Sequence, residues 1–280
     1  MRFDGDRRWA LALEMDDDRD PRGFIASARE SMARAEKDGA ALVYGFVRAR
    51  DADAVFAELG WSSLGQAPVL VRPLRLSAAV TRLDLPPAAR AILPKTPLVL
   101  PFSRRRREGV REIATREPRV TRLWDRFSID IPVAIERNAT YVGPRIFDRA
   151  DAGYRAFVFE DGDRYVVRAL CIFRVKAEHD ALVGHVVELL HDRSVAGMRA
   201  ASHLLGLAIR EMSDAGAEAA YAWSLVHSGS FPLFARHAFL PARRGPDALQ
   251  VGVRAFDPAL EGIVTERHHW YLSEMDTARG

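Results

Sequence analysis

Apolar and polar positions along this chain alternate between two periods. Ala10-Leu11-Ala12-Leu13-Glu14-Met15 is a short apolar run that predicts a buried strand. Asp16 to Arg22 is polar, carries Pro21 and ends at Gly23, which predicts a loop. From Phe24 to Lys37, the residues Phe24, Ile25, Ala28, Met32 and Ala35 recur at helical spacing, and Asp38-Gly39 stops the helix. Leu42 to Val47 predicts a second strand. Asp51 caps a short helix with Val55, Phe56 and Leu59 on its apolar side, and Val69 to Leu74 predicts a third strand.

Residues 77–122 break this rhythm. Pro86-Pro87, Pro94, Pro97 and Pro101 punctuate them, and Arg104-Arg105-Arg106-Arg107 follows. They predict a connection, with Val110 to Thr115 as a helical piece. Leu123 to Phe127 opens a new helical segment, and Thr140 to Phe147, with Tyr141, Gly143 and Pro144, predicts irregular structure. Ala156–Glu160 and Tyr165–Val175 read as antiparallel strands around the hairpin signal Asp161-Gly162-Asp163. A third strand, Val183 to Leu190, leads through a loop to a helix from Met198 to Ser213, which Gly216 ends. Glu266 to Asp276 is a tail with Trp270 and Tyr271.

The closing elements of the two halves repeat. Asp38-Gly39-Ala40, an apolar run, Phe56, Leu59-Gly60-Trp61 and Val69-Leu70-Val71-Arg72 are echoed by Ala215-Gly216-Ala217, an apolar run, Phe234, His237-Ala238-Phe239 and Val251-Gly252-Val253-Arg254. A repeat of this length predicts two related α/β units. Residues 1–76 hold an incomplete unit, 77–122 the connection and 123–280 a complete unit. Only about twenty residues precede Asp20, room for little more than one strand. The first unit therefore borrows strands from the second, starts late, or serves as a structural platform, and the platform is the favoured reading.

Composition narrows the class. The 280 residues are 48% hydrophobic and 28% charged, as in ordinary soluble domains. No apolar run nears the ~20 residues a membrane helix needs, and the polar N-terminus has no signal-peptide core. Cys171 is the single cysteine, so no intrachain disulfide forms, and a reducing cytoplasm is the simplest location. The net charge is only +3, and the lysines are Lys37, Lys95 and Lys176. The arginine run offers a phosphate or anionic-lipid contact, but no aromatic residues interleave it to stack on bases.

Three meandering strands, a loop, a long helix, a strand, a short helix and a final strand resemble the core of the GNAT acyltransferase superfamily. Asp38 to Phe46 and Phe56-Ala57-Glu58-Leu59-Gly60-Trp61 are similar to its fourth and fifth elements, and Trp270-Tyr271-Leu272 with Asp276 resembles the tail of a bacterial subgroup. The resemblance implies an α/β (α+β) fold with a mixed, largely antiparallel sheet flanked by helices, in two related units. It also implies acyl transfer from acetyl-CoA or another acyl-CoA to a small-molecule amine held between Val183–Leu190 and Glu218–Leu225, with no metal.

In that superfamily the loop after the fourth strand and the start of the next helix hold the CoA pyrophosphate. The usual pattern is Arg or Gln, two residues, Gly, one residue, then Gly or Ala. Here the matching stretches are Asp20 to Ala26 and Arg193 to Ala200, and both depart from it. The resemblance carries the cofactor contacts onto Leu190, Arg193, Ala196, Gly197, Met198 and Arg199. It carries the general base onto Glu188, with Glu14 as its counterpart in the first unit. The tyrosine acid of many relatives is replaced by Phe231 and Phe234, which leaves His227 as a titrating candidate. Two further readings stay open. One is a degenerate GNAT-fold protein with a ligand- or partner-binding role. The other is a Fem-type transferase that uses aminoacyl-tRNA, with no nucleic-acid partner expected beyond that tRNA. The histidines form no zinc pattern, and Cys171 lies in the apolar run Ala169 to Phe173, where a small core residue is expected.

Overall fold

The computed structural model describes residues 2–3, 6–7, 9–15, 20–76, 108–115, 117–162, 166–178, 181–242 and 248–277. The arginine run at 104–107 lies outside them. In chain order the first half gives β1 (Arg2–Phe3), β2 (Asp6–Arg7), β3 (Ala10–Glu14), α1 (Pro21–Lys37), β4 (Leu42–Arg48), α2 (Ala49–Leu59), β5 (Ser62–Gln66) and β6 (Val69–Pro73). The second half gives β7 (Val110–Ile113), α3 (Pro118–Phe127), β8 (Val133–Ala134), α4 (Ala139–Val142), β9 (Tyr154–Asp161), β10 (Val166–Glu178) and β11 (Ala181–His191). It closes with α5 (Val195–Asp214), β12 (Ala219–Trp223), α6 (Phe231–Arg236), β13 (Leu240–Pro241), β14 (Leu249–Ala255) and α7 (Glu261–Val264).

The fold is the mixed, largely antiparallel α/β arrangement expected, in two sheets flanked by helices. The larger has the order β13-β6-β12-β11-β10-β9-β7, and the smaller β3-β4-β14-β5. In each, one pair is parallel: β11 with β12, and β3 with β4. These are the equivalent pairs of the two repeats.

The repeats also exchange their last strands. β6 follows the first unit in sequence but pairs with β12 and β13 of the second. β14 ends the second unit but lies between β4 and β5 of the first. Each unit thus completes the other's sheet, and no clean cut in the sequence separates the sheets. No described strand lies beyond β3 on its edge of the smaller sheet; β1 and β2 instead join β8 in a separate small sheet.

Three local expectations are corrected. Val110–Thr115 is not helical: Val110 to Ile113 form β7, paired with Ala156 to Phe159. Arg111 and Glu112 point outward, where they meet Glu160 and Arg155. Thr140–Phe147 is helical, as α4 followed by a wide turn at Gly143–Phe147. Pro144 lies at the start of that turn, where its missing N–H costs little. Asp51 sits in the first turn of α2, whose N-cap is Arg48.

Core packing follows the faces. Cys171, Phe173, Val186 and Leu189 face α5 and α6, while Ile172, Val187 and Leu190 face α3. Cys171 is fully buried, and burial pushes its thiol up, so it is an inert core residue. A third cluster joins the units: Tyr44 and Phe46 of β4 meet Trp223, Val251, Val253 and Trp270. The Phe46 and Trp223 rings cross at 5.5 Å. A junction built like an interior makes the two units one body.

Candidate functional site at the parting of two parallel strands

β11 and β12 run together only from Val183–Ala219 to Val186–Ala222. There β11 bulges: Ile172 faces Glu188 and Phe173 faces Val186, so Val187 is an extra residue. Beyond the bulge β11 continues to His191 while β12 ends at Trp223. The strands therefore part. In the smaller sheet, β3 stays paired with β4 from Ala10–Leu42 to Glu14–Phe46, and the Met15 N–H donates to the Phe46 carbonyl. Among the described residues that pair shows no equivalent gap, and Glu14 lies within its paired stretch.

At the mouth of the gap lies a cavity of about 220 Å³ whose lining includes Phe127, Ile131, Arg193, His227, Gly229 and Tyr271. His227 is exposed. Its Nε2 lies 3.0 Å from the Trp270 carbonyl. A carbonyl can only accept, so Nε2 carries the proton and Nδ1 keeps its lone pair in the neutral ring. A histidine with its tautomer set this way can take a proton from a group in the cavity.

Glu188 is different. It is 1% exposed and accepts four hydrogen bonds. Oε1 takes the Tyr271 hydroxyl and the Leu189 N–H, the latter at 2.9 Å. Oε2 takes Arg137 Nε at 2.6 Å and the Ser273 hydroxyl at 2.9 Å. Four donors fill the lone pairs of a carboxylate. None remains for a substrate ammonium, so the geometry assigns Glu188 to support and not to proton removal.

Arg137, also fully buried, reaches Asp276 at 2.7 Å with Nη2 and the Ile135 carbonyl with Nη1. Burial works against its charge, but Asp276 and Glu188 outweigh it and hold its pKa high. Burial raises the Asp276 carboxyl, and Arg137 offsets part of that. The chain from Trp270 to Asp276 is thereby strapped over the bulge. His227 and Glu188 do not meet, but both bind this strap, at Trp270 and Tyr271 respectively.

The gap itself is bridged by the protein's own groups. The Leu189 N–H and carbonyl both point into it. The N–H is taken by Glu188, and the carbonyl accepts the Ser230 hydroxyl at 2.8 Å. His191 Nε2 donates to the Gly229 carbonyl across 3.3 Å. Leu190 is registered against Leu170 and is fully buried in the α3 cluster, so its side chain cannot meet a cofactor in the gap.

The remaining expected cofactor contacts gather at the start of α5. Ser194 is the N-cap, and its hydroxyl accepts the Gly197 N–H at 2.9 Å. Arg193 has φ 62°, a left-handed backbone uncommon outside glycine. Its side chain reaches Asp130 at 2.5 Å. Ala196 and Arg199 are exposed, Gly197 is buried, and Met198 packs against the core. Arg199 has no ion pair among the described residues. Phe231 and Phe234 lie in α6, with Phe234 buried against Phe239.

Sequence reasoning missed Arg137, Asp192, Ser230 and Ser273. Nothing local marks Arg137, whose partners lie far along the chain. Tyr271 and Asp276 carried a signal, as members of the tail phrase. Among the described residues no group of His, Cys, Asp and Glu is arranged to hold a metal, and no helix is long and apolar enough to cross a membrane.

No protein-family model matches the sequence, and no curated protein matches it. Solved structures do. Saccharomyces cerevisiae N-myristoyltransferase with bound myristoyl-CoA is similar over 84% of this chain and 58% of its own, at 14% identity and a TM-score of 0.53. A GCN5-related N-acetyltransferase from Anabaena variabilis is similar over 87% and 53%, at 9% identity and a TM-score of 0.52. The chain thus spans little more than half the length of these relatives. At such identities the likeness concerns the fold alone: this chain has the GNAT fold, in tandem, with the final strands of its two units exchanged.

Proposed function

We propose that the chain transfers an acyl group from a thioester, such as an acyl-CoA, to an amine at the mouth between β11 and β12. The observation that supports this most is the parting of that parallel pair at the Val187 bulge, with His227 held beside the resulting cavity. The amine is bound as its ammonium, and Nδ1 of His227 takes its proton. The free amine then adds to the thioester carbonyl. The nitrogen of the adduct still carries a proton to lose; collapse breaks the carbon–sulfur bond, that proton passes to the leaving thiolate to give the thiol, and the His227 imidazolium returns its own to solvent. Glu188 holds the bulge and the strap in place.

The test is thiol release from acetyl-CoA in the presence of a panel of primary amines. Substituting His227→Ala is expected to lower kcat by about 100-fold and leave KM for the thioester unchanged, the size of a lost general base. Absence of thiol release with every amine and acyl group tried would sink the reading.

A second reading, a fold kept for ligand binding without transfer, is favoured by one observation. The Leu189 N–H and carbonyl in the gap are already satisfied by Glu188 and Ser230. It predicts ligand binding at the cavity with no turnover. No observation favours the aminoacyl-tRNA reading.

A further inference from the structure

Asp192 sits between the end of β11 and the start of α5. Oδ1 accepts the Ser194 N–H at 3.1 Å and the Ser194 hydroxyl at 2.5 Å. Oδ2 accepts Arg168 Nη1 at 2.8 Å, and Arg168 in turn holds Asp161 at 2.8 Å. The Asp192 side chain is only 3% exposed. Burial pushes its carboxyl up, but the Ser194 and Arg168 hydrogen bonds outweigh that and keep it below the usual range. It is an anion at neutral pH. It also lies flat against Gly197, where any Cβ would overlap the carboxylate.

The positive end of a helix attracts one anion. Here the protein supplies that anion itself. A pyrophosphate brought to the same place would meet a fixed like charge a few Å away. Two of the neighbouring cations are engaged, Arg168 by Asp192 and Asp161 and Arg193 by Asp130, while Arg199, one turn into α5, is exposed. The cavity beyond carries the Arg193–Asp130 pair at one edge, and Phe127, Ile131, Trp270 and Tyr271 line it with His227, while Asp192 is not among its lining residues.

We propose that Asp192 is a specificity-determining residue that stands in for a donor phosphate at the start of α5, so that the donor is gripped through its acyl-pantetheine arm and not through a nucleotide pyrophosphate. This rests on the transferase reading above.

Titration calorimetry of the full chain with acetyl-pantetheine and with acetyl-CoA tests it without an acceptor amine. The two Kd values are expected to agree within about threefold, and adenosine bisphosphate alone is expected not to bind. Asp192→Ala is expected to tighten acetyl-CoA by about tenfold or more and leave acetyl-pantetheine unchanged. Asp192→Asn, which keeps an acceptor for Ser194, is expected to do the same if the alanine variant folds poorly. A wild-type preference for acetyl-CoA of about tenfold or more overturns the inference and leaves the transferase reading standing. Failure of both thioesters to bind overturns the two together.

Discussion

Glu188 shows how far a residue's role depends on neighbours that the sequence does not place beside it. A glutamate at the end of a predicted strand, in a chain resembling acyltransferases, reads as a base. Its partners Arg137, Tyr271 and Ser273 come from two distant segments, and together they turn it into a buried anchor. Removing one partner of a buried ion pair leaves the other uncompensated, at about 3–5 kcal/mol. Arg137→Met should therefore lower unfolding stability by about 3 kcal/mol or more in urea titrations. A loss near zero would show that the network is not a structural anchor. His185 offers a second test at this scale. Its Nδ1 lies 2.9 Å from Glu274 and its Nε2 3.1 Å from Glu178, with Tyr221 stacked on the ring and Lys176 beyond Glu178. Burial opposes the imidazolium, but the two carboxylates win and raise its pKa above the ordinary 6.5. Protonation is then tighter in the folded state. The stability it contributes is complete below the unfolded pKa and is lost as pH rises through the raised value. Unfolding free energy measured from pH 6 upward should fall across that window in the wild type, and His185→Gln should flatten the fall.

At the scale of elements, most strands and helices were legible because their apolar periods are strong. β7 was not, since two of its four residues are charged and exposed and a strand that short shows no period. The exchange of β6 and β14 was not legible either, for a different reason. Val69-Leu70-Val71 and Val251-Gly252-Val253 announce strands, but nothing in a strand names its partner when two related sheets offer equivalent places. The repeat that revealed the two units thus concealed which strand completes which. One contact shows how closely the adopted pairing is packed. Gly45 of β4 and Gly252 of β14 lie opposite each other, and the Trp61 indole covers both. A Cβ on Gly252 would come within 2.7 Å of the Phe56 ring, and one on Gly45 within 2.6 Å of the Leu13 carbonyl. Gly252→Ala should cost roughly 1–3 kcal/mol by overpacking. Thermal unfolding reads this directly, and an unchanged Tm would show that the junction yields.

For the molecule as a whole, strand exchange and the shared Tyr44–Phe46–Trp223–Trp270 junction leave no surface along which the units can part. Calorimetry should show a single unfolding transition, with equal van't Hoff and calorimetric enthalpies. Two separated transitions would contradict the shared core. The broad architecture was readable from element order, and the gap between β11 and β12 followed from it. The site's chemistry was readable only in part. His227, proposed above as the base, was named from its type, while the contacts of Asp192 with the Ser194 hydroxyl and of Ser230 with the Leu189 carbonyl arise from the fold, which no spacing reveals.

The placement of β14 also bears on synthesis. β4 leaves the ribosome about two hundred residues before its neighbour β14. Until then β4 has β3 on one side and an open hydrogen-bonding edge on the other. Growing chains generally fold N-terminal part first. Here β4 must wait for β14, leaving Tyr44 and Phe46 without that cover until β14 has been made. A nascent chain stalled before residue 249 should accordingly be readily captured by chaperones or cut by protease, and one released after the β14 strand has emerged should resist both.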